Sequence, residues 1–304
     1  MDIALLAPQA SDAWAAMTRL VLDGVFSPHT KRAYSKALHD FFLWYQHSGQ
    51  MGFRRSTVQA FRAELEALAL APTTINQRLC AIRKLAREAA GNGLLDDPLA
   101  ESICSVRGVP HSGTRTGRWL DRDQASQLLS FPDATTLKGK RDQALLAVMV
   151  GCGLRRSEVS ALTWQHIHMV ERRWVILDLI GKRNRIRTVP IPSWAKVALD
   201  AWCEAAEISD GFLFRSMDKA DRLRGTSLSS QAIWSIVTGY GVDLHLEFAP
   251  HDLRRTHAKL AHRGGAAVEQ IQLCLGHSSL LTTQLYLGLQ LDLHNAPCDR
   301  LGLG

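Results

Sequence analysis

The chain has 304 residues, enough for about two domains, and 46% of them are hydrophobic, enough to fill a substantial core. Its formal charge is +7 and its pI about 9.3, which fits a nucleic-acid partner without establishing one. No run of about 18 apolar residues reads as a membrane span, no basic n-region before an apolar stretch reads as a secretory signal, and the six cysteines include no Cys-x-x-Cys pair, which argues against a disulfide framework or zinc knuckle and for buried free thiols in a reducing cytosol.

Residues 1–107 read as helices. Ser27 is a cap and Pro28 a first-turn proline. Tyr34, Leu38, Phe41, Phe42 and Tyr45 then recur at helical spacing, and Gly49 ends the run. Val58, Phe61, Leu65 and Leu68 make a second stripe. Ile75, Leu79, Ile82 and Leu85 make a third, closed by Gly91. Across that third helix lie Arg78, Arg83, Lys84 and Arg87, either a solvated face or a phosphate-contacting one. Residues 108–117 carry three glycines and little periodicity, and read as an exposed linker. Before Arg118 there are 13 basic and 10 acidic residues, and from it 23 and 19, so neither part is a basic tail.

The second part, 118–304, is mixed. Asp121 caps a helix expected to run to Leu129, 141–150 is a largely apolar helix ending at Gly151-Cys152-Gly153, and 157–164 looks helical. Residues 174–180 and 186–191 read as two strands of a hairpin around the basic turn Lys182-Arg183-Asn184-Arg185. Helices resume near Lys196, Ser229, Leu253, Val268 and Thr282. The expected fold is mainly α, with a small antiparallel β-sheet in the C-terminal domain.

Four segments carry candidate chemistry: Gly153-Leu154-Arg155-Arg156-Ser157-Glu158, Gly181-Lys182, Pro250-His251-Asp252-Leu253-Arg254, and Leu275-Gly276-His277 with Tyr286 nine residues beyond the histidine. Each alone has an ordinary explanation. An arginine opening a helix is usually solvated, a hairpin lysine usually guards a sheet edge, and a tyrosine between two leucines is usually core.

Together and in this order they resemble the active site of the tyrosine recombinases, the phage integrase family, in its simple two-domain, Xer-like form. The likeness spans about 118–291. The first part is similar more loosely, through Thr30-x-x-Ala33-Tyr34 and Asn92-Gly93-Leu94-Leu95-x-x-Pro98. The resemblance implies a helical core-binding, DNA-clamping domain over 1–107, a linker over 108–117, and a catalytic domain over 118–304 with a C-terminal tail.

It also implies roles that suit phosphodiester cleavage, which needs a nucleophile, a proton acceptor, a proton donor and stabilisation of charge on the non-bridging oxygens. By resemblance Arg155 and Arg254 clamp the phosphate, as their planar forks suit, and His277 donates to it. Tyr286 attacks to leave a 3′-phosphotyrosine. His251 is the proton acceptor, because imidazole titrates near neutrality. Lys182 protonates the leaving 5′-oxygen. Glu158 either buttresses the site or is a surface helix charge. Arg183 and Arg185 join the four basic residues of the third helix as candidate DNA contacts.

Two departures from the pattern stand out. Arg255 replaces a frequent histidine, and His257 replaces an aromatic, read here as a core or boundary residue without a role. The resemblance implies no cofactor and no metal, because the cationic side chains supply the charge. It implies double-stranded DNA with specific recombination sites as substrate, recombination through a Holliday junction, a homotetramer with a dimer on each site, room for a heteromeric recombinase partner, no membrane, and a bacterial cytoplasmic, nucleoid-associated location. The competing readings are a type IB topoisomerase-like relaxing enzyme and a DNA-binding relative without catalysis.

Overall fold

A computed structural model describes residues 11–49, 52–110, 117–181, 185–218 and 220–288. The chain divides into two compact units, Met1–Gly113 and Thr114–Gly304.

The first unit contains five helices among its described residues: α1 (Ser11–Asp23), α2 (Pro28–His47), α3 (Arg55–Ala67), α4 (Pro72–Gly91) and α5 (Asp97–Cys104). Ser27 caps α2 by accepting the Thr30 N–H, with Pro28 at the first helical position. Phe41 is the hub of the core, edge-on to Phe61 at 5.0 Å and within 6.2 Å of Trp14, Trp44, Tyr45 and Phe53. Two expectations shift. Leu68 lies one residue past α3 and is exposed, so the α3 stripe ends at Leu65. Gly91 stays helical, and Gly93 takes the left-handed conformation, φ +69°, that ends the segment. The stretch read as an exposed linker begins pinned to this unit: the Asn76 side chain exchanges hydrogen bonds of 2.8 and 2.9 Å with the Val109 backbone, and Arg62 donates to the Arg107 carbonyl.

The second unit begins with α6 (Arg122–Ser130), closed at its start by the reciprocal bonds of Asp121 and Gln124. Next comes α7 (Leu137–Gly151), in which every residue from 144 to 150 is buried. A segment apolar on all faces marks a central helix, and α6, α8 (Arg156–Ser160), α9 (Ser193–Ala205) and α11 (Pro250–Arg263) pack against α7, while Tyr240 of α10 (Ser230–Asp243) donates to its Asp142. Strands β1 (Ile167–Val170), β2 (Arg173–Ile180) and β3 (Ile186–Pro190) form an antiparallel sheet in that order, and β4 (Arg215–Met217) pairs with β5 (Leu223–Ser227). Helices α12 (Val268–Leu275) and α13 (Leu280–Leu287) follow, and α11, α12 and α13 share a small separate core of Ala258, Ile271, Leu275 and Leu287.

The helix expected over 157–164 stops at Ser160. The Leu162 carbonyl accepts the Leu213 N–H and the Trp164 N–H donates to Gly211, so strand-like pairing takes backbone groups that a helix would use. No helix among the described residues is long and apolar enough to cross a membrane. The five described cysteines are free thiols; Cys152 and Cys203 are buried as expected, whereas Cys80 is exposed because it faces away from the α4 stripe.

Candidate active site

Arg155 is placed by a turn that tolerates only glycine. Gly153 has φ +62°, and a Cβ there would lie 2.8 Å from the His257 ring and 3.1 Å from Leu275. Two residues later Arg155 is the N-cap of α8, and Glu158 folds back to accept its backbone N–H at 2.8 Å. Glu158 is buried, not a surface charge. Its Oε1 accepts Arg155 Nη1 at 2.7 Å, and both oxygens accept the fork of Arg187, at 3.0 and 2.8 Å. Burial opposes its charge, but the hydrogen bonds and charges of Arg187 and Arg155 prevail and hold the carboxyl below its ordinary value.

His251 and Arg254 lie one turn apart on α11, whose first residue is Pro250. Arg254 is fully buried at the back of the site. Its Nη1 donates to the Gly153 carbonyl at 2.6 Å and its Nη2 to the Leu275 carbonyl, and its Nη1 stands 3.8 Å from Glu158. Burial first, then the charge of Arg155, depresses its pKa to about 10, so it stays cationic at neutral pH. A cavity of about 360 Å³ opens in front, lined by Arg155, Arg156, Ser157, His251 and Arg254, with Trp234, Ala249 and Pro250 as its apolar wall.

His277 follows Gly276, the left-handed cap of α12, and its Nδ1 is 3.0 Å from the buried Thr283 hydroxyl. Burial leads and Arg254 and Arg155 add, pushing its pKa down to about 4, so the ring is neutral at physiological pH. Tyr286, on α13, sits edge-on to both histidines, 5.6 Å from the His251 ring and 5.3 Å from the His277 ring. Its hydroxyl donates to the main-chain carbonyl of His251 at 3.2 Å. Burial raises its pKa to about 12 despite the opposing charges of Arg254 and Arg255. The Arg255 guanidinium lies over its ring at 4.8 Å. His251, exposed at the cavity rim, has its pKa lowered by partial burial and by Arg254, Arg255 and Arg155, so it is ready to accept a proton at neutral pH.

Five of the six sequence candidates therefore meet around one site. Lys182 lies outside the described residues, as does Arg183. The base of their hairpin is placed: Gly181 donates to the Arg185 carbonyl at 2.7 Å, and a Cβ on Gly181 would lie 3.5 Å from Glu158 Oε1. Arg185 is exposed. His257, given no role from sequence, bonds the Val150 carbonyl at 3.0 Å and packs against Gly153. Sequence reading missed Arg187. It occupies a half-buried position on β3 and also donates from Nε to the Cys274 carbonyl at 2.8 Å. On α4, Arg78 pairs with Asp40 at 2.9 Å, Arg83 donates to the Val106 carbonyl, Lys84 pairs with Glu88 at 2.7 Å, and Arg87 is exposed.

Guanidiniums converge behind an open cavity, and two imidazoles stand against one phenol, a set of groups suited to phosphoryl transfer. The phage integrase family model matches residues 118–291, and the phage integrase N-terminal SAM-like domain matches 17–93. The chain belongs to the phage integrase family. It is 25% identical over 283 residues to the tyrosine recombinase XerD of Listeria monocytogenes, covering 88% of this chain and 90% of that protein. It is 30% identical over 236 residues to the tyrosine recombinase XerC of a Roseiflexus species, covering 75% and 72%. In fold it resembles the XerH site-specific recombinase in a post-cleavage complex with difH (TM-score 0.67, 17% identity, 86% and 76% covered). It also resembles a lambda integrase dimer on a COC′ core site (TM-score 0.69, 14% identity, 93% and 79% covered).

Proposed function

We propose that this protein is a site-specific DNA recombinase that cuts and rejoins duplex DNA through a covalent bond to Tyr286. One observation carries the assignment: Tyr286 meets both the His251 and the His277 rings edge-on, and His251 also lines the cavity backed by Arg155 and Arg254. The Tyr286 oxygen attacks the scissile phosphorus and its proton passes to His251. The bond to the 5′-oxygen breaks, leaving a 3′-phosphotyrosine and a 5′-oxygen that Lys182 protonates. Arg155 and Arg254 hold the non-bridging oxygens, and neutral His277 donates an N–H to one of them. The cationic side chains supply the needed charge, so cleavage proceeds in EDTA without ATP. Because the phosphotyrosine retains the bond energy, attack by another 5′-hydroxyl reverses the step onto a new strand.

In this reading 1–107 clamps DNA, 108–117 links, and 118–304 is catalytic. Two subunits bind each site and a homotetramer exchanges strands through a Holliday junction, with room for a heteromeric recombinase partner, in the bacterial cytoplasm at the nucleoid. Of the candidate DNA contacts, Arg87, Arg183 and Arg185 are proposed as direct ones, because Arg78, Arg83 and Lys84 have partners within their own unit. The tail 289–304, with Leu289, Leu291 and Leu293, lies outside the described residues and is proposed to dock on a neighbouring subunit. Its deletion then abolishes tetramers on DNA and leaves the domain folded.

The test uses a random-sequence pool of nicked duplexes, which trap the adduct because the short 5′ strand is lost. Wild type forms a denaturation-resistant protein–DNA adduct and Tyr286→Phe forms none. An adduct in the mutant overturns the nucleophile. Joining of two labelled duplexes from the captured sequences supports recombination, whereas relaxation without joining supports a topoisomerase.

A further inference from the structure

We infer that Arg187 is a positioning residue that neutralises Glu158, so that Arg155 is free to turn to the scissile phosphate. The inference rests on the function proposed above. Glu158 is almost fully buried, and a buried carboxylate must keep its hydrogen-bond and charge partners. It has four bonds: Arg155 and Arg187 share Oε1, while Arg187 and the Arg155 backbone N–H share Oε2. Arg155 thus holds the carboxylate through one side-chain bond and Arg187 through two.

This asymmetry matters because the two arginines face different surroundings. Arg155 lines the cavity, and its side chain retains 26% exposure. Arg187 does not line it. Its Nε is fixed to the Cys274 carbonyl, and its Cδ would lie 3.0 Å from a Cβ on Gly276. Arg187 therefore cannot follow a phosphate, and Arg155 can. When Arg155 turns away, Glu158 keeps both Arg187 bonds and one backbone bond, so no buried charge is stranded. Without Arg187, the nearest side-chain cations are Arg155 itself and Arg254 at 3.8 Å, and Glu158 would draw both away from the phosphate.

The resting cluster of Arg155, Arg187 and Arg254 against one carboxylate carries two positive charges in excess, which matches the dianionic pentacoordinate transition state. Arg187 is what makes that excess available to the substrate.

The test is single-turnover adduct formation on the captured nicked duplexes. Arg187→Met should slow adduct formation by about 100-fold, the scale of one lost transition-state donor. The loss should fall on the limiting rate and not on the DNA concentration at half-saturation. Glu158→Gln in the same chain removes the competing charge while keeping an acceptor for the Arg155 N–H, and should recover the rate by about tenfold or more. A double variant no faster than Arg187→Met overturns the proposal and leaves Arg187 a packing residue. If Arg187→Met does not fold, Arg187→Lys carries the comparison, because its single ammonium cannot span both oxygens; Glu158→Gln must again raise the rate. Wild type without an adduct overturns the function itself, whereas an adduct in wild type without rescue overturns only the role of Arg187.

Discussion

Two groups of basic residues in this chain look alike in sequence and differ in what surrounds them. On α4, Arg78 and Lys84 each pair with a carboxylate, Asp40 and Glu88, and Arg83 donates to the Val106 carbonyl. In the active site Arg155, Arg187 and Arg254 share the single carboxylate of Glu158. The first arrangement neutralises Arg78 and Lys84, and the second leaves a surplus of charge beside a cavity. The number of carboxylates per cation, more than the number of cations, separates a stabilising face from a candidate phosphate site.

The largest effects should separate Arg254 from Arg155. Each alanine variant should slow adduct formation by about 10²–10³-fold. Their stabilities should diverge. Arg254→Ala leaves the Gly153 and Leu275 carbonyls without their donor, at about 1–3 kcal/mol each, whereas Arg155→Ala gives up one side-chain bond worth about 1 kcal/mol net, with Arg187 still on Glu158. Equal unfolding midpoints for the two variants would break the distinction.

Next in size is the pH dependence of cleavage. His251 has its pKa below 6.5, so with this base in place the rate should level off by about neutral pH. Tyr286 has its pKa raised to about 12. In His251→Ala, ionisation of the phenol must precede attack, and the rate should climb about tenfold per pH unit through pH 9. A flat profile in that variant would remove His251 from the proton path.

Stability against pH sharpens the comparison at smaller scale. Glu158 has a depressed pKa, so its contribution is complete above its ordinary 4.5 and fades as pH falls through its lower folded value. His277 is depressed from 6.5 to about 4, so the unfolded chain takes up its proton first and stability declines as pH falls from 6.5 towards 4. His277→Gln should flatten the melting-temperature profile in that window, and Glu158→Gln should narrow its gap from wild type only below pH 4.5. The smallest expected effect is on α4: Arg87→Ala should lower the salt dependence of DNA binding by about one counterion, while Arg83→Ala should reduce stability and leave the salt slope unchanged.

Much of this was legible in sequence because it is local. The Ser27 and Asp121 caps and the β2–β3 hairpin are signalled by spacing and turn chemistry, and the ordered arginines, histidines and tyrosine by their resemblance to a family's motifs. What escaped depends on distant partners. Arg187 resembles its exposed neighbour Arg185, and only the fold brings Glu158 and Cys274 to it. Arg83 and Arg87 are one turn apart on the same helix, yet Val106 meets only the first. Strand β1 has one half-buried residue followed by three exposed ones, so no alternation marks it. Helix α8 is shorter than its sequence pattern suggests because nothing near 161–164 announces that residues 211–213 will claim its backbone.

The resting contact of Tyr286 with the main chain of His251 has a practical consequence for genetics. Every residue type carries a carbonyl, so replacing the imidazole keeps this hydrogen bond and gives up only the edge-on contact of the two rings at 5.6 Å. Comparing Phe with small side chains at position 251 thus tests the proposed proton transfer separately from the ring contact, two roles that a single substitution confounds.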